Sequence, residues 1–449
     1  MTSVLIRDGT IIPCDADMRQ TIQRGFVATR EDRIELIGAG DPPERILSKA
    51  SEIIDATGHA VIPGLVNAHT HLFQCFLRGL ADDKPLLEWL KTATWPGGLA
   101  MTEDDFYLSG LLGFVENLKC GATSVLSQDY VQTSPRNMDA VMQAAQISGV
   151  RARLARGCGD CAPYFDKFLE PLDVIVAETR RLIEKSDARV RVEFGPMITW
   201  GCTADALKTM DRLAREWNVG VHIHINETRA EVQMSLDATG MRQINWLDWL
   251  GVLNERWQLV HCVWLDESEI QIVAERGCTV VHCPVSNMYL ASGIAPIVEY
   301  RRRRIPVALA SDGPGSNNSQ DMLEVLKTTA NLQKVGTLDA MSLLPEDVLE
   351  MCYRGGATAL GLGDQVGRLA PGALADLVLV DLERAHIAPV HSPQSALVYN
   401  ANGNDVDTVV VNGEVVVRGG ELVKLSEKGL VRDCQRAAEA MARRAGIRR

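Results

Sequence analysis

Between residues 61 and 313 short, almost unbroken apolar runs alternate with longer stretches of helical periodicity. The runs are VIPGLVNAH (61–69), ATSVLSQ (122–128), VRARLARG (150–157), VRVEFGPM (190–197), VGVHIHI (219–225), QLVHCVW (258–264), TVVHCP (279–284) and PVALASDG (306–313). Stretches such as TEDDFYLSGLLGFVENLKCG and SEIQIVAERGC lie between them and read as amphipathic helices. Strands apolar on both faces and separated by helices build a parallel sheet. Eight such units over about 250 residues fit a (β/α)8 barrel. An open doubly wound sheet is the alternative, but no glycine-rich dinucleotide loop follows the first strand.

The flanks have a different period. Residues 1–60 alternate apolar and polar positions between turn signals (VLIRDGTIIP, RIELIGAG), and so do residues 365–425 (GRLAPGALADLVLVDL, then VDTVVVNGEVVVRGGELV). This predicts an α/β protein in four parts: 1–60 and 365–425 pairing as a small β-sandwich from both termini, the TIM barrel over 61–364, and an Ala- and Arg-rich helix over 426–449.

The composition narrows the partners. The 449 residues include 46 Lys and Arg against 58 Asp and Glu, a net charge of −12, which disfavours nucleic acid or an anionic membrane as partner. The basic run Arg301–Arg304 reads as a solvated helix end. The N-terminus lacks the pattern of a signal peptide, and no apolar run reaches the roughly 18 residues of a membrane span. Eleven scattered cysteines suit reduced thiols in a cytoplasm. Cys158 and Cys161 have CxxC spacing, but no second pair completes a zinc site.

Barrel enzymes carry their chemistry at the C-terminal ends of the strands. There the first strand ends in His69 and His71. Residues two apart in a strand face the same side, so both can grip one ion. Alone, the pair reads equally well as structural. The fifth strand ends in His222 and His224 with Glu227 three residues on, the sixth carries His261, and the eighth ends in Asp312. Together these select a metal site. His69, His71, His224 and Asp312 are assigned as ligands of one divalent ion, zinc first and iron second. Asp312 alone would read as a helix cap. Glu227, His261 and Asp312 form the catalytic set, with Glu227 carrying protons and His261 facing it across the metal. His222 and His282 read as packing residues, and His59, His386 and His391 receive no role. The fourth strand lacks the lysine that a two-metal site would need, so one metal is expected.

The ordered set PGLVNAHTH, HIHINE, HCVWLDESE, HCPVSNMYLASGIAP, ASDGPGSNN and GRLAPGALADLVLVD resembles the amidohydrolase superfamily over nearly the whole chain. It is most similar to the branch of S-adenosylhomocysteine/methylthioadenosine deaminases and atrazine chlorohydrolase-like enzymes. The resemblance implies the barrel, the terminal β-sandwich, one Zn or Fe ion on the same four ligands, and hydrolytic removal of an amino group or halide from a nitrogen heterocycle. It also implies a homodimer. Within the branch, LLEWLKTATWPGG aligns Glu88 with a ribose-binding Glu, while the adenine-reading Glu falls on Gly98. Gln74 has the place where guanine-type and chlorotriazine enzymes use Gln, and a carboxamide can both donate and accept at a ring edge. Ser316 matches a serine at the leaving-group end. Trp95, with Trp89 and Trp200, is a candidate aromatic wall, and Asn287 is expected to order the seventh loop.

The leading expectation is therefore a metal-dependent hydrolase of a small heterocycle of the triazine, oxopurine or pterin type, with Gln74, Glu88, Trp95 and Ser316 at the substrate. The alternative is a deaminase of adenosylhomocysteine, methylthioadenosine or adenosine. A barrel that has lost catalysis ranks last, because the ligand set is complete.

Overall fold

The computed structural model describes residues 3–447. Eight parallel strands form the barrel: Leu65–Thr70, Ala122–Asp129, Arg151–Cys158, Val190–Pro196, Val221–Ile225, Trp257–His261, Thr279–His282 and Val307–Leu309. The last strand returns to the first through the Asp312 N–H, which donates to the His69 carbonyl at 3.1 Å, and the Ser311 N–H, which donates to Asn67 Oδ1 at 3.1 Å. Small and branched side chains fill the interior, among them Val66, Ala68, Leu126, Ala155, Val260, Val281 and Ala308, all fully buried. This packing closes the barrel as a core rather than a pore.

The run read as one strand over 61–69 is two. His59–Pro63 belongs to the terminal sheet, and Leu65–Thr70 to the barrel. Gly64 is the joint. A Cβ there would lie 1.9 Å from Thr123 Oγ1, so only glycine lets the chain step from one sheet to the other at this depth. The period of the side chains cannot reveal the break, because both strands are apolar on both faces.

Both chain ends build a second, nine-stranded sheet. Strand Val4–Ile11 pairs with Ile22–Arg30 and, in parallel, with Glu52–Asp55 and His59–Pro63. The strand His59–Pro63 then pairs antiparallel with Leu377–Asp381, which continues into Val406–Val411 and Glu414–Arg418. The sheet encloses its own apolar cluster, including Val4, Ile6, Val27, Val61, Leu377, Leu379 and Val410. Arg151, on the third barrel strand, ties the two parts together: its guanidinium meets Asp376 at 2.7 and 3.0 Å, with both side chains buried.

The helix Glu103–Lys119 begins at a capping box in which Thr102 and Asp105 satisfy each other's backbone N–H groups, and three acidic residues occupy its first turn. The C-terminal helix Glu427–Ala445 packs against it, and Arg444 donates to the Ala100 carbonyl at 2.8 Å.

Candidate active site

Each histidine at the barrel mouth is oriented by what its far nitrogen touches. His71 Nδ1 lies 2.6 Å from the Gln128 carbonyl, and His224 Nδ1 lies 3.0 Å from the Met197 carbonyl. A carbonyl only accepts, so both Nδ1 atoms carry the proton and both Nε2 lone pairs are free to ligate. His69 Nδ1 lies 2.7 Å from His222 Nε2, which leaves His69 Nε2 buried with no hydrogen-bond partner. Asp312 Oδ1 stands 3.3 Å from His69 Nε2 and 3.6 Å from His71 Nε2. Burial holds the His71 imidazole down at about 3 and depresses those of His69 and His224, so all three stay in the neutral form that metals bind.

Glu227 sits beyond this cluster, with its Oε2 3.5 Å from His261 Nε2. Burial first, and then the nearby charge of Asp312, push its carboxyl up to about 8, against the hydrogen bond from Ser292. His261 Nδ1 lies 3.0 Å from Asn287 Oδ1. The backbone turns sharply at these strand ends. Asn226, His261 and Asp312 have φ of 46°, 70° and 63°, a left-handed region that residues with a Cβ enter rarely and that clusters at functional sites.

The histidines and carboxylates form the floor of a cavity of about 560 Å3, mouth included. Gln74, Trp95 and Ser316 line it, as do Trp89 and Trp200. Gln74 is fully buried. Its Nε2 donates to Tyr130 Oη at 3.2 Å, and its Oε1 has no partner. Ser316 Oγ donates to Asp312 Oδ2 at 3.2 Å. Trp95 stacks on Phe165 with ring centroids 4.6 Å apart.

Glu88 is not brought to the cavity. Its side chain is 55% exposed and pairs with Lys84 at 3.1 Å, on the outer side of the short helix that turns Trp89 inward. Gly98 packs against Val131 and Phe168, where a Cβ would already be 2.8 Å from Val131 Cγ2, so a larger residue at that position would have to displace the Val131 side chain. His222 and His282 are fully buried, and His282 has neither ring nitrogen bonded.

Several residues of the cavity escaped the sequence reading: Tyr130, Tyr164, Leu290 and Glu231 line it, and Ser292 braces Glu227. Glu231 had a signal. Thr228-Arg-Ala-Glu231 is a capping box spelled out after the strand, and Glu231 does accept the Thr228 N–H at 2.9 Å. Burial and the charge of Glu227 push its carboxyl up to about 8.

The donor set fits a metal ion. His69, His71 and Asp312 offer ligand atoms within 4.8 Å of one another, as do His69, His224 and His261. The orphaned His69 Nε2, buried among them, is the atom such an ion would satisfy. Imidazole with one carboxylate suits zinc and its neighbours in the first transition row.

Comparison with known proteins finds relatives along nearly the whole chain. The chain is 39% identical over 440 residues, 98% of its length and 99% of the relative's, to 5-methylthioadenosine/S-adenosylhomocysteine deaminase from Desulforudis audaxviator. It superposes with a TM-score of 0.91 and 30% identity on an adenosine deaminase from Xanthomonas campestris with bound zinc, covering 98% and 99% of the two chains. Atrazine chlorohydrolase from Arthrobacter aurescens shares the fold with a TM-score of 0.90, at 24% identity over 97% of this chain and all of that one. Among the described residues no helix is long and apolar enough to cross a membrane. The model of the amidohydrolase family matches residues 60–416, and the chain belongs to that family as a metal-dependent hydrolase of carbon–nitrogen bonds, of the deaminase type.

Proposed function

We propose that the protein deaminates the purine ring of an adenosine-type nucleoside, with methylthioadenosine and adenosylhomocysteine as first candidates. The observation that carries this reading is the 39% identity, end to end, with a deaminase of that name. It reverses the order of the two substrate classes that the sequence suggested. The triazine enzyme is 24% identical, a likeness of fold alone.

His69, His71, His224 and Asp312 would hold one ion, zinc first, which supplies the Lewis acidity that makes water nucleophilic at neutral pH. The rest of the reaction falls to the chain's own groups. The charge of such an ion would draw the Glu227 carboxyl back down toward its ionised form, and as a carboxylate Glu227 accepts a proton from the attacking water and delivers it to ring N1 as oxygen bonds to C6. His261, 3.5 Å from Glu227, steadies the incoming oxygen. The proton left on the new C6 hydroxyl then passes to the amino group, the C6–N bond breaks as the C6=O bond forms, and ammonia leaves a 6-oxopurine behind. Trp89, Trp95 and Trp200 offer flat apolar walls for the base, and the unpartnered Gln74 Oε1 offers an acceptor to a donor on it.

A second reading keeps the chemistry and takes a free oxopurine, pterin or aminotriazine. Buried Gln74, and a glycine packed against Val131 where an adenine-reading carboxylate is expected, favour it. One panel separates the two: adenosine, methylthioadenosine, adenosylhomocysteine, guanine, a pterin and an aminotriazine, each with zinc-loaded protein, scored by ammonia release and product mass. Turnover of the nucleosides supports the proposal; turnover of the free rings alone replaces it with the second reading.

A further inference from the structure

The loop after the seventh barrel strand touches both groups that handle protons. It starts as the short helix Pro284–Tyr289 and ends at Gly293. Asn287 Oδ1 lies 3.0 Å from His261 Nδ1. Five residues on, Ser292 Oγ donates to Glu227 Oε1 at 2.7 Å. The two contacts are linked, because the Ser292 N–H donates to the Asn287 carbonyl at 2.8 Å. The Ser292 carbonyl in turn accepts from Trp264 Nε1 at 2.8 Å. Ala291 has φ of 53° and Gly293 of 131°, so a tight turn places the serine hydroxyl where it is. Ser292 is 4% exposed and Asn287 fully buried, which rules out solvent as the reason for either polar side chain.

We propose that Ser292 is a positioning residue that fixes which oxygen of Glu227 handles the proton, and that the loop 284–293 is a single brace for Glu227 and His261. With the serine O–H donating to Oε1, that oxygen is occupied as an acceptor. The carboxyl cannot rotate without breaking a buried hydrogen bond to an ionisable group, one of the stronger kinds. Oε2 is then the oxygen held toward His261, 3.5 Å from its Nε2. Without the bond the carboxyl samples both faces, and the fraction of turnover-ready conformers falls. This inference rests on the assignment of Glu227 as the proton carrier in the proposed function.

The test uses full-length, zinc-loaded protein carrying Ser292→Ala, with Ser292→Thr as the variant that keeps a hydroxyl. Ser292→Ala is expected to lower kcat about 10- to 100-fold with KM within about threefold of wild type, a part of what a general acid–base group supplies. Metal content and melting temperature are expected to stay, and Ser292→Thr to recover most of the lost kcat. An infrared reading is independent of substrate. The carboxyl band assigned to Glu227 by its loss in Glu227→Gln is expected to shift in Ser292→Ala. An unmoved band, or kcat within threefold of wild type, overturns the proposal; so does a fall in kcat that comes only with loss of metal or of folding. If wild type turns over none of the panel, the proposed function fails, while the infrared band still decides whether Ser292 holds Glu227.

Discussion

Asp376→Ala is expected to be one of the most destabilising single changes in the chain, and more harmful than Arg151→Met. The Asp376 carboxylate takes two bonds from the Arg151 guanidinium, at 2.7 and 3.0 Å, and a third from the Asn412 N–H at 2.7 Å. Arg151 and Asp376 side chains are 4% and 2% exposed. Truncating the aspartate leaves a buried guanidinium with only Asn412 Oδ1, at 3.2 Å, as acceptor. Breaking a buried pair from one side costs about 3–5 kcal/mol. Arg151→Met instead leaves a carboxylate that keeps the Asn412 N–H, and it fills the space with apolar atoms, so it should cost less. The double variant Arg151→Met/Asp376→Leu should lie closer to wild type than Asp376→Ala does, because no charge is then stranded. At about 2.1 cal/mol/K of unfolding entropy per residue, a 449-residue chain loses only about 3–5 °C of melting temperature for that cost. Calorimetry and urea titration of the four proteins at one pH and one metal loading measure it. Equal losses for Asp376→Ala and Arg151→Met, or a double variant worse than both, would refute the stranded-charge reasoning.

Glu227→Gln should retain metal but lose about 100- to 10,000-fold in kcat, read by elemental analysis beside ammonia release; activity within a few-fold would remove Glu227 from proton transfer. His69→Ala should lose bound metal on dialysis under conditions where wild type keeps it, and added zinc should not restore full occupancy. Glu193 gives a pH prediction away from the metal. Burial raises its carboxyl from 4.5 to about 7, against the pull of Arg153. The folded state therefore holds this proton more tightly than the unfolded one. That stability is fully present below about pH 4.5 and is lost as pH rises to about 7, up to about 3 kcal/mol. Glu193→Gln should remove this part of the slope and be relatively more stable at pH 8; parallel stability–pH curves for the two proteins would contradict it.

The barrel was legible because its strands are apolar on both faces and its chemistry sits where strands end. His69 and His71 share a face by the two-residue period, and Asp312 closes the last strand, so one-dimensional spacing was enough to bring them together. The sheet built from both termini was legible from its alternation alone. What stayed hidden depends on which way a helix is turned or on long-range contact. Glu88 and Trp89 are neighbours, yet the helix turns Trp89 into the cavity and Glu88 out to Lys84. The contact between Ser292 and Glu227 spans 65 positions, and no local pattern marks it. Gly64 looked like one more residue of a strand, because its reason for being glycine is Thr123 in the next strand. The substrate order reversed because Gln74 and Gly98 speak for single contacts, whereas identity over 440 residues integrates the whole cavity wall.

The shared sheet also has a meaning for how the protein is made. Strand His59–Pro63 forms its ladder with Leu377–Asp381, which leaves the ribosome more than 300 residues later. At about 5–20 residues per second the wait is about 15–60 s. During it, Ala60, Val61 and Ile62, all fully buried in the finished protein, stand at an open edge, the kind of surface that recruits other chains. The nascent chain therefore depends on protection of that edge until its C-terminal strands arrive, and a truncation before Leu377 would leave the edge permanently open even with every metal ligand already synthesised.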